Sequence, residues 1–157
     1  MTSTDSTRTT YPKKVLLLGD GGVGKTTFIK TLLGVSSFRE LYTYTPTLGV
    51  EVYSYFIPGS NNQVEIWDCA GQERFSFKRT ISEHTDGVIL FCDGTSRISR
   101  ANLKNWKTIA PLGIPSITVQ LKSDVRQKFA PNDRILVSAK TGYNIETPLA
   151  LLDGLMS

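Results

Sequence analysis

The sequence predicts an α/β fold: a mostly parallel sheet with one antiparallel edge strand and with helices on both faces. Short continuous apolar runs at residues 15–18 and 88–92 are typical of parallel strands that are buried on both faces. Segments with helical spacing alternate with the strand-like segments, as they do in βαβ units. Residues 58–62 read Pro-Gly-Ser-Asn-Asn between two strand-like segments, which predicts a hairpin and hence one antiparallel strand.

The remaining elements follow in chain order. Residues 1–12 are rich in Ser and Thr and predict a disordered N-terminal tail, which leaves 13–157 as one domain. After the strand at 15–18 we expect a helix over 25–33, ended by Gly34, and then a mobile loop over 35–47. Further along we expect strands at 48–57, 64–67, 88–92, 117–121 and 134–137, and helices at 72–84, 99–109 and 144–156.

The composition limits the class of protein. The chain has 157 residues, of which 39% are apolar and 20% charged, as in a globular domain. Its net charge of +4 is scattered along the chain, which disfavours nucleic acid as the main partner. Cys69 and Cys92 lie in apolar runs and predict buried, reduced thiols. With no glycine at position 2, no cysteine in the last four residues and no long apolar run, we expect a soluble intracellular monomer, cytoplasmic or nuclear, without a membrane anchor.

A phosphate-binding motif follows the first strand. Residues 19–26 read GDGGVGKT and match G-x-x-x-x-G-K-[ST], in the strand-to-helix context that the motif requires. Glycines let backbone N–H groups face the phosphates, and the following helix points its positive end at the same anion. We expect Lys25 to contact the β- and γ-phosphates and the Thr26 hydroxyl to ligate Mg²⁺. The candidate nucleotide contacts here are Asp20, Gly21, Gly22, Val23, Gly24, Lys25, Thr26 and Thr27.

A second group of candidates surrounds the strand at 64–67. Asp68 ends that strand with a carboxylate, which we expect to hold Mg²⁺ beside the phosphate loop. Gly71 can offer a backbone N–H to the γ-phosphate, and Gln72 can orient the attacking water, which makes it the catalytic candidate. Thr47 supplies a hydroxyl that could close over the metal. The predicted metal ligands are therefore Thr26, Thr47 and Asp68.

The segments GDGGVGKTTF, TPTLGVEV, WDCAGQERF and SAK together resemble the Ras superfamily of small GTPases. The segments TLGVEV and GTSR, the pair Asn105-Trp106, and SAKTGYN followed by Pro148 look most like the Ran branch. The resemblance covers about residues 13–156. It implies a P-loop NTPase G domain that binds GTP or GDP with Mg²⁺, hydrolyses GTP and switches at residues 35–47 and 71–84. It also implies an exchange factor, a GTPase-activating protein and effectors, with nucleocytoplasmic transport receptors among the candidates.

The resemblance further assigns contacts with the guanine base. Phe38 would pack against the base from the first switch segment. Lys122 would lay its stem over the purine, and Asp124 would accept hydrogen bonds from guanine N1–H and the 2-amino group. The backbone of Ser138, Ala139 and Lys140 would read the guanine oxygen.

One base-reading residue departs from the family pattern. The family motif Asn-Lys-x-Asp reads Leu121-Lys122-Ser123-Asp124 here. Leu121 has no amide for the base or the phosphate loop, and one lost buried hydrogen bond costs on the order of 1 kcal/mol. We therefore expect weaker binding and faster exchange, with guanine preference retained. Only nine residues, 125–133, precede the next strand, so we expect a loop or single turn there and a partly uncovered sheet face.

Two other functions stay open at this stage. A nucleotide-dependent binding module that mimics Ran would capture partners with little turnover; Leu121 and the shortened chain favour it, and Gln72 speaks against it. A P-loop ATPase or kinase would have to accept adenine. No arginine is clearly placed as a finger, so we expect slow intrinsic hydrolysis that a partner accelerates. The basic residues near one helix form either a solvated face, which we favour, or an interaction surface: Arg97, Arg100, Lys104 and Lys107.

Overall fold

The computed structural model describes residues 12–34, 42–45, 50–69, 79–124 and 133–156. Within these ranges the strands are β1 (Lys13–Leu18), β2 (Tyr42–Thr45), β3 (Val50–Phe56), β4 (Gln63–Asp68), β5 (Gly87–Asp93), β6 (Ser116–Leu121) and β7 (Ile135–Leu136). The helices are α1 (Lys25–Leu33), α2 (Arg79–Ser82), α3 (Arg97–Ala101), α4 (Leu103–Ile109) and α5 (Thr147–Leu155). The strands form one sheet in the order β2-β3-β4-β1-β5-β6-β7.

The pairing of the strands confirms the predicted fold class. β1 runs parallel to β4 and to β5, and β5-β6-β7 continue the parallel part of the sheet. β3 runs antiparallel to β4 through the predicted hairpin. β3 is the strand of reversed direction, and it lies one position in from the edge because β2 pairs antiparallel on its outer side.

The strand β2 corrects the prediction of a loop over residues 35–47. Tyr42-Thr43-Tyr44-Thr45 has no apolar run, but it alternates aromatic and β-branched residues, which favour strands when a partner strand is present. The rest of that segment, including Phe38 and Thr47, lies outside the described residues. Of the helix predicted over 72–84, residues 79–84 are described: α2 ends at Ser82, and His84, with a φ of 58°, lies in a turn, so the helix ends earlier than predicted.

Two further helix predictions were wrong in their extent. The single helix expected over 99–109 is two helices, α3 and α4, separated at Asn102. α3 begins earlier than predicted because Ser96 caps it, with the side chain accepting a hydrogen bond from the Ser99 N–H at 3.1 Å. The last helix begins at Thr147 rather than at 144, since Asn144 has a φ of 56°, which is left-handed and incompatible with a helix.

The core lies on both faces of the sheet. Alternate residues of β1 face opposite sides, as the period of a strand requires. Val15 and Leu17 join a cluster with residues of α1 and α5, whereas Leu16 and Leu18 join a second cluster that includes Trp106 of α4. All four β1 side chains are at most 1% exposed. The carboxyl end of β1 is thus fixed from both sides, and the loop that follows starts from a rigid point.

The two cysteines are buried and free, which confirms the prediction of reduced thiols. Burial raises the pKa of the Cys69 thiol to about 12, and the neighbouring Asp68 carboxylate adds to the rise. The thiol is therefore protonated and unreactive at neutral pH. Across the described ranges, no helix combines the length and the apolar character that crossing a bilayer requires.

Candidate nucleotide-binding site

The loop between β1 and α1 requires glycine at three of its positions. A Cβ on Gly19 would lie 2.7 Å from the carbonyl oxygen of Phe91, so a side chain there would clash with β5. Gly22 and Gly24 have φ values of 81° and 109°, in the left-handed region that disfavours other residues. Residues 21–27 line a cavity of about 280 Å³ at the start of α1. Such a cavity, walled by loop backbone at a helix N-terminus, suits an anion.

Lys25 is a buried cation beside this cavity. Its side chain is 3% exposed, and its Nζ donates to the carbonyl oxygens of Gly19 at 2.7 Å and of Asp20 at 3.3 Å. Burial lowers the pKa of Lys25, although the Asp68 carboxylate acts in the opposite direction. A buried ammonium whose charge is only partly compensated is stabilised by an anion, and a phosphate would supply one.

Thr26 and Asp68 come together at the same edge of the sheet. The Thr26 Oγ1 lies 3.5 Å from the Asp68 Oδ2, although the two residues are 42 positions apart in the chain. Asp68 ends β4, which pairs with β1 and so brings the carboxylate, 2% exposed, next to the phosphate loop. Hydroxyl and carboxylate oxygens are the hard ligands that Mg²⁺ prefers, so this pair fits the predicted metal site.

A second cavity of about 250 Å³ adjoins the phosphate cavity. Both are lined by Val23, Gly24 and Thr27. The second cavity is completed by Leu121, Lys122, Asp124, Ala139 and Lys140, which follow or end β6 and β7. Because β1, β6 and β7 belong to the parallel part of one sheet, the loops at their carboxyl ends meet there, where α/β folds bind ligands.

Asp124 is the acidic group of the second cavity. Its Oδ1 accepts a hydrogen bond from the Ser138 Oγ at 2.9 Å, and Ser138 is 1% exposed. The loop that carries Ser138 is tied to α1, since the Thr31 hydroxyl donates to the Ala139 carbonyl oxygen at 3.1 Å. The Asp124 carboxylate is therefore held in place by a residue of a loop that is itself bonded to α1. The two oxygens of a carboxylate in a mostly apolar cavity match the adjacent N–H donors of guanine.

Lys122 has a partner that the sequence analysis missed. Its Nζ forms an ion pair of 2.7 Å with the Asp93 Oδ2, and its φ of 63° is left-handed. Burial alone would raise the pKa of Asp93, but hydrogen bonds from Lys122 and Thr95 outweigh burial and hold it below the usual value. The only sign in the sequence was an acidic residue at the end of the apolar run 88–92.

Leu121, which takes the place of the asparagine expected from the resemblance, lies beside the phosphate loop. It is 1% exposed, and its Cδ1 lies 3.4 Å from the position that a Cβ on Gly24 would take. It also belongs to the same core cluster as Phe28 and Phe91. That cluster also contains Val23 of the phosphate loop, so the β6 side of the loop is apolar here.

Asp20 turns its carboxylate toward α4. Its Oδ1 accepts a hydrogen bond from the Trp106 Nε1 at 2.8 Å, and its Oδ2 accepts one from the Asn102 Nδ2 at 2.7 Å. Neither partner was predicted from the sequence. The one signal in the sequence was that Asn102 and Trp106 are four residues apart, which places their side chains on one face of a helix.

The structure brings most of the predicted site residues to one edge of the sheet. They are residues 20–27 of the phosphate loop and α1, together with Asp68, Lys122, Asp124, Ser138, Ala139 and Lys140. Phe38, Thr47, Gly71 and Gln72 lie outside the described residues, so their assigned roles stay predictions.

A parallel α/β sheet with a glycine-rich phosphate loop between its first strand and first helix defines a P-loop nucleotide-binding domain. The chain belongs to the Ras family, whose model matches residues 14–152. Members of this family are small GTPases that bind guanine nucleotides and typically Mg²⁺. The predicted membership in the Ras superfamily is confirmed at this level.

Proposed function

We propose that this chain is a Ran-like small GTPase switch that binds GTP and GDP with Mg²⁺ and hydrolyses GTP slowly. The observation that carries the proposal is the junction of two unlike cavities at one sheet edge. One surrounds the buried cation of Lys25, and the other is apolar with the anchored carboxylate of Asp124. A guanine nucleotide has the same two ends, anionic phosphates and a flat base with adjacent donors.

At the phosphate end, Lys25 would neutralise the β- and γ-phosphates, and the loop N–H groups would bind their oxygens. Thr26 and Asp68 would hold Mg²⁺ together with Thr47, a ligand that is predicted from the sequence alone. Mg²⁺, when bound, supplies positive charge to the phosphate oxygens. The 3.5 Å approach of Thr26 to Asp68 supports this assignment.

At the base end, Asp124 would accept from guanine N1–H and the 2-amino group. Adenine has no such adjacent pair of donors, so guanine preference follows. Lys122 would cover the purine with its stem while its ammonium stays with Asp93. The backbone of residues 138–140 would read the guanine oxygen, and Phe38 would pack against the base.

Switching would involve residues 35–47 and 71–84, ordered by the γ-phosphate through Thr47 and Gly71. Gln72 would orient the attacking water, and a GTPase-activating partner would supply what the chain lacks for fast turnover. The segments that resemble the Ran branch support exchange factors and transport receptors as partners. Residues 13–157 would form the working domain and 1–12 a disordered tail.

Nucleotide competition tests the proposal. A fluorescent GDP analogue bound to the wild-type protein should be displaced by GDP and GTP, and far less well by ATP. Lys25→Ala should weaken GDP binding at least about 100-fold, because it removes charge-assisted hydrogen bonds. Lys30→Ala is the matched control, since it removes the same charge from an exposed position on α1.

Two outcomes would contradict the proposal. If a folded Lys25→Ala protein binds GDP as tightly as wild type does, the assignment of the phosphate site is wrong. If ATP displaces the fluorescent GDP analogue as effectively as GTP does, the assignment of the guanine site is wrong and a P-loop ATPase or kinase is favoured.

A second candidate, a Ran-mimicking binding module with little turnover, is favoured by the apolar side chain of Leu121 beside the phosphate loop. Single-turnover GTP cleavage by wild type and by Gln72→Leu, alone and with a Ran-type activating protein, separates the two. The switch requires that Gln72→Leu still binds GTP but cleaves it more slowly in both settings. Equal rates would mean that Gln72 is not catalytic, and the binding module would then be the better account.

A further inference from the structure

The side chain of Asp20 ties the phosphate loop to α4, whose Trp106 lies in the core cluster on the other face of the sheet from the one that contains Leu121. Its two hydrogen bonds, of 2.8 and 2.7 Å, span 86 and 82 positions of the chain. Trp106 is 4% exposed and packs in the cluster that contains Leu16 and Leu18 of β1. The indole is therefore a rigid anchor, and its buried N–H finds its acceptor in the loop.

Asn102 supports the same interpretation. It occupies the N-cap position of α4, where an Asn side chain usually accepts a hydrogen bond from a backbone N–H of the first turn. It makes no such cap. Its amide Nδ2 instead donates to Asp20, and its Oδ1 accepts from the Asn105 side chain at 3.3 Å. The amide thus serves the phosphate loop rather than the helix that it begins.

Asp20 is held at both its side chain and its backbone. Its carbonyl oxygen accepts from the Lys25 Nζ, while its carboxylate points to α4. Asp20 is absent from the residues that line the phosphate cavity, 21–27. The negative charge is thereby turned away from the site of an anionic ligand, and the peptide at position 20 is fixed relative to Lys25.

We propose that Asp20, Asn102 and Trp106 form a latch that holds the phosphate loop in its anion-binding conformation and thereby slows nucleotide release. The inference rests on the proposed nucleotide binding. In it, Asp20 is a positioning residue whose side chain acts through the loop backbone. Helix α4 then influences how long a nucleotide stays bound without touching the nucleotide.

GDP release from single variants tests the latch. Trp106→Phe keeps an aromatic ring in the core and removes one donor, and Asn102→Ala removes the other donor without removing a helix cap. Each should accelerate release of a fluorescent GDP analogue about tenfold, which corresponds to about 1.4 kcal/mol. Trp67→Phe is the matched control, since its Nε1 donates to Glu65 at 3.3 Å and not to the loop. It should release GDP at the wild-type rate.

Amide hydrogen exchange of residues 20–24 in nucleotide-free protein supplies a readout that general destabilisation would not give. In both latch variants these amides should exchange faster, while those of β5 stay protected.

Wild-type rates of release and of exchange in folded Trp106→Phe and Asn102→Ala proteins would overturn the latch. Faster exchange spread evenly over the domain would overturn it too, because it would indicate lost stability instead of a loosened loop. If the wild-type protein binds no guanine nucleotide, the proposed function fails. The exchange of residues 20–24 still decides whether the latch holds the loop.

Discussion

Replacing Leu121 by asparagine would introduce the amide that the motif Asn-Lys-x-Asp, expected from the resemblance, places between the base and the phosphate loop. In this chain the position is apolar: Leu121 is 1% exposed, lines one cavity with Gly24 and packs with Phe28 and Phe91 in one cluster. The substitution therefore has opposite effects on the nucleotide-free and the nucleotide-bound protein.

In the nucleotide-free protein the change is costly. Loss of the buried leucine side chain removes roughly 2 kcal/mol of transfer free energy, and an amide without partners costs roughly 2 kcal/mol more. For a domain of this size each kcal/mol lowers the melting temperature by about 2–4 °C, so we expect a fall of roughly 8–16 °C. With GDP bound, the amide gains hydrogen bonds to the base and the loop. A net gain of about 1 kcal/mol slows GDP release about fivefold.

The assay combines thermal melting, with and without GDP and Mg²⁺, with the release rate of a fluorescent GDP analogue. Leu121→Ala is the control, because it loses the burial but adds no amide; it should melt lower and should not release GDP more slowly. A folded Leu121→Asn protein that releases GDP as fast as wild type would refute the reasoning. Position 121 would then not face the nucleotide.

Three other changes address single parts of the site. Asp124→Asn replaces an acceptor by a donor and should shift preference from guanine toward xanthine nucleotides in competition; an unchanged preference would contradict the role of Asp124. Burial lowers the pKa of Lys25 in the folded protein below the 10.5 of the unfolded chain. At a pH between the folded and the unfolded pKa, the unfolded chain therefore binds more protons than the folded one, and the stability of the nucleotide-free protein rises with pH in that range. Bound phosphates would raise the pKa of Lys25 again, so GDP binding should take up protons and should weaken at alkaline pH. Calorimetry in buffers of different ionisation enthalpy would detect this proton uptake. Its absence would contradict the role of Lys25 in phosphate binding. Gly19→Ala should cost roughly 2 kcal/mol in melting experiments because its Cβ meets the Phe91 carbonyl, whereas Gly21→Ala, with no atom within 4 Å, should melt as wild type does.

The parts of the fold that were predictable carry their signal locally. β1 and β5 are continuous apolar runs, and the hairpin has a distinct turn sequence, so each could be recognised from a few residues. β2 could not, because Tyr42-Thr43-Tyr44-Thr45 becomes a strand through pairing with β3, and strand preference depends strongly on such context. The break at Asn102 was missed for a similar reason, since helical spacing continues across it.

The site divides in the same way. The phosphate loop was predictable because its chemistry requires a contiguous motif. The ion pair of Lys122 with Asp93 and the bond from Trp106 to Asp20 join residues 29 and 86 positions apart. No local pattern specifies such contacts, which depend on the order of strands in the sheet and on where α4 packs.

The phosphate loop lies beside Leu121 at one side and is bonded to α4 through Asp20 at the other. These two arrangements lead to one last prediction, about how the effects of the two sides on GDP release depend on each other. On the β6 side the loop lies beside the apolar side chain of Leu121, and on the α4 side it is held by two hydrogen bonds. Leu121→Asn would add a polar tether on the first side, so loss of the latch should matter less in that background. Trp106→Phe should then accelerate GDP release by clearly less than its effect in wild type, in a double-mutant cycle with Leu121→Asn. Strictly additive effects would mean that the two contacts act on the nucleotide independently, and that the loop does not connect them.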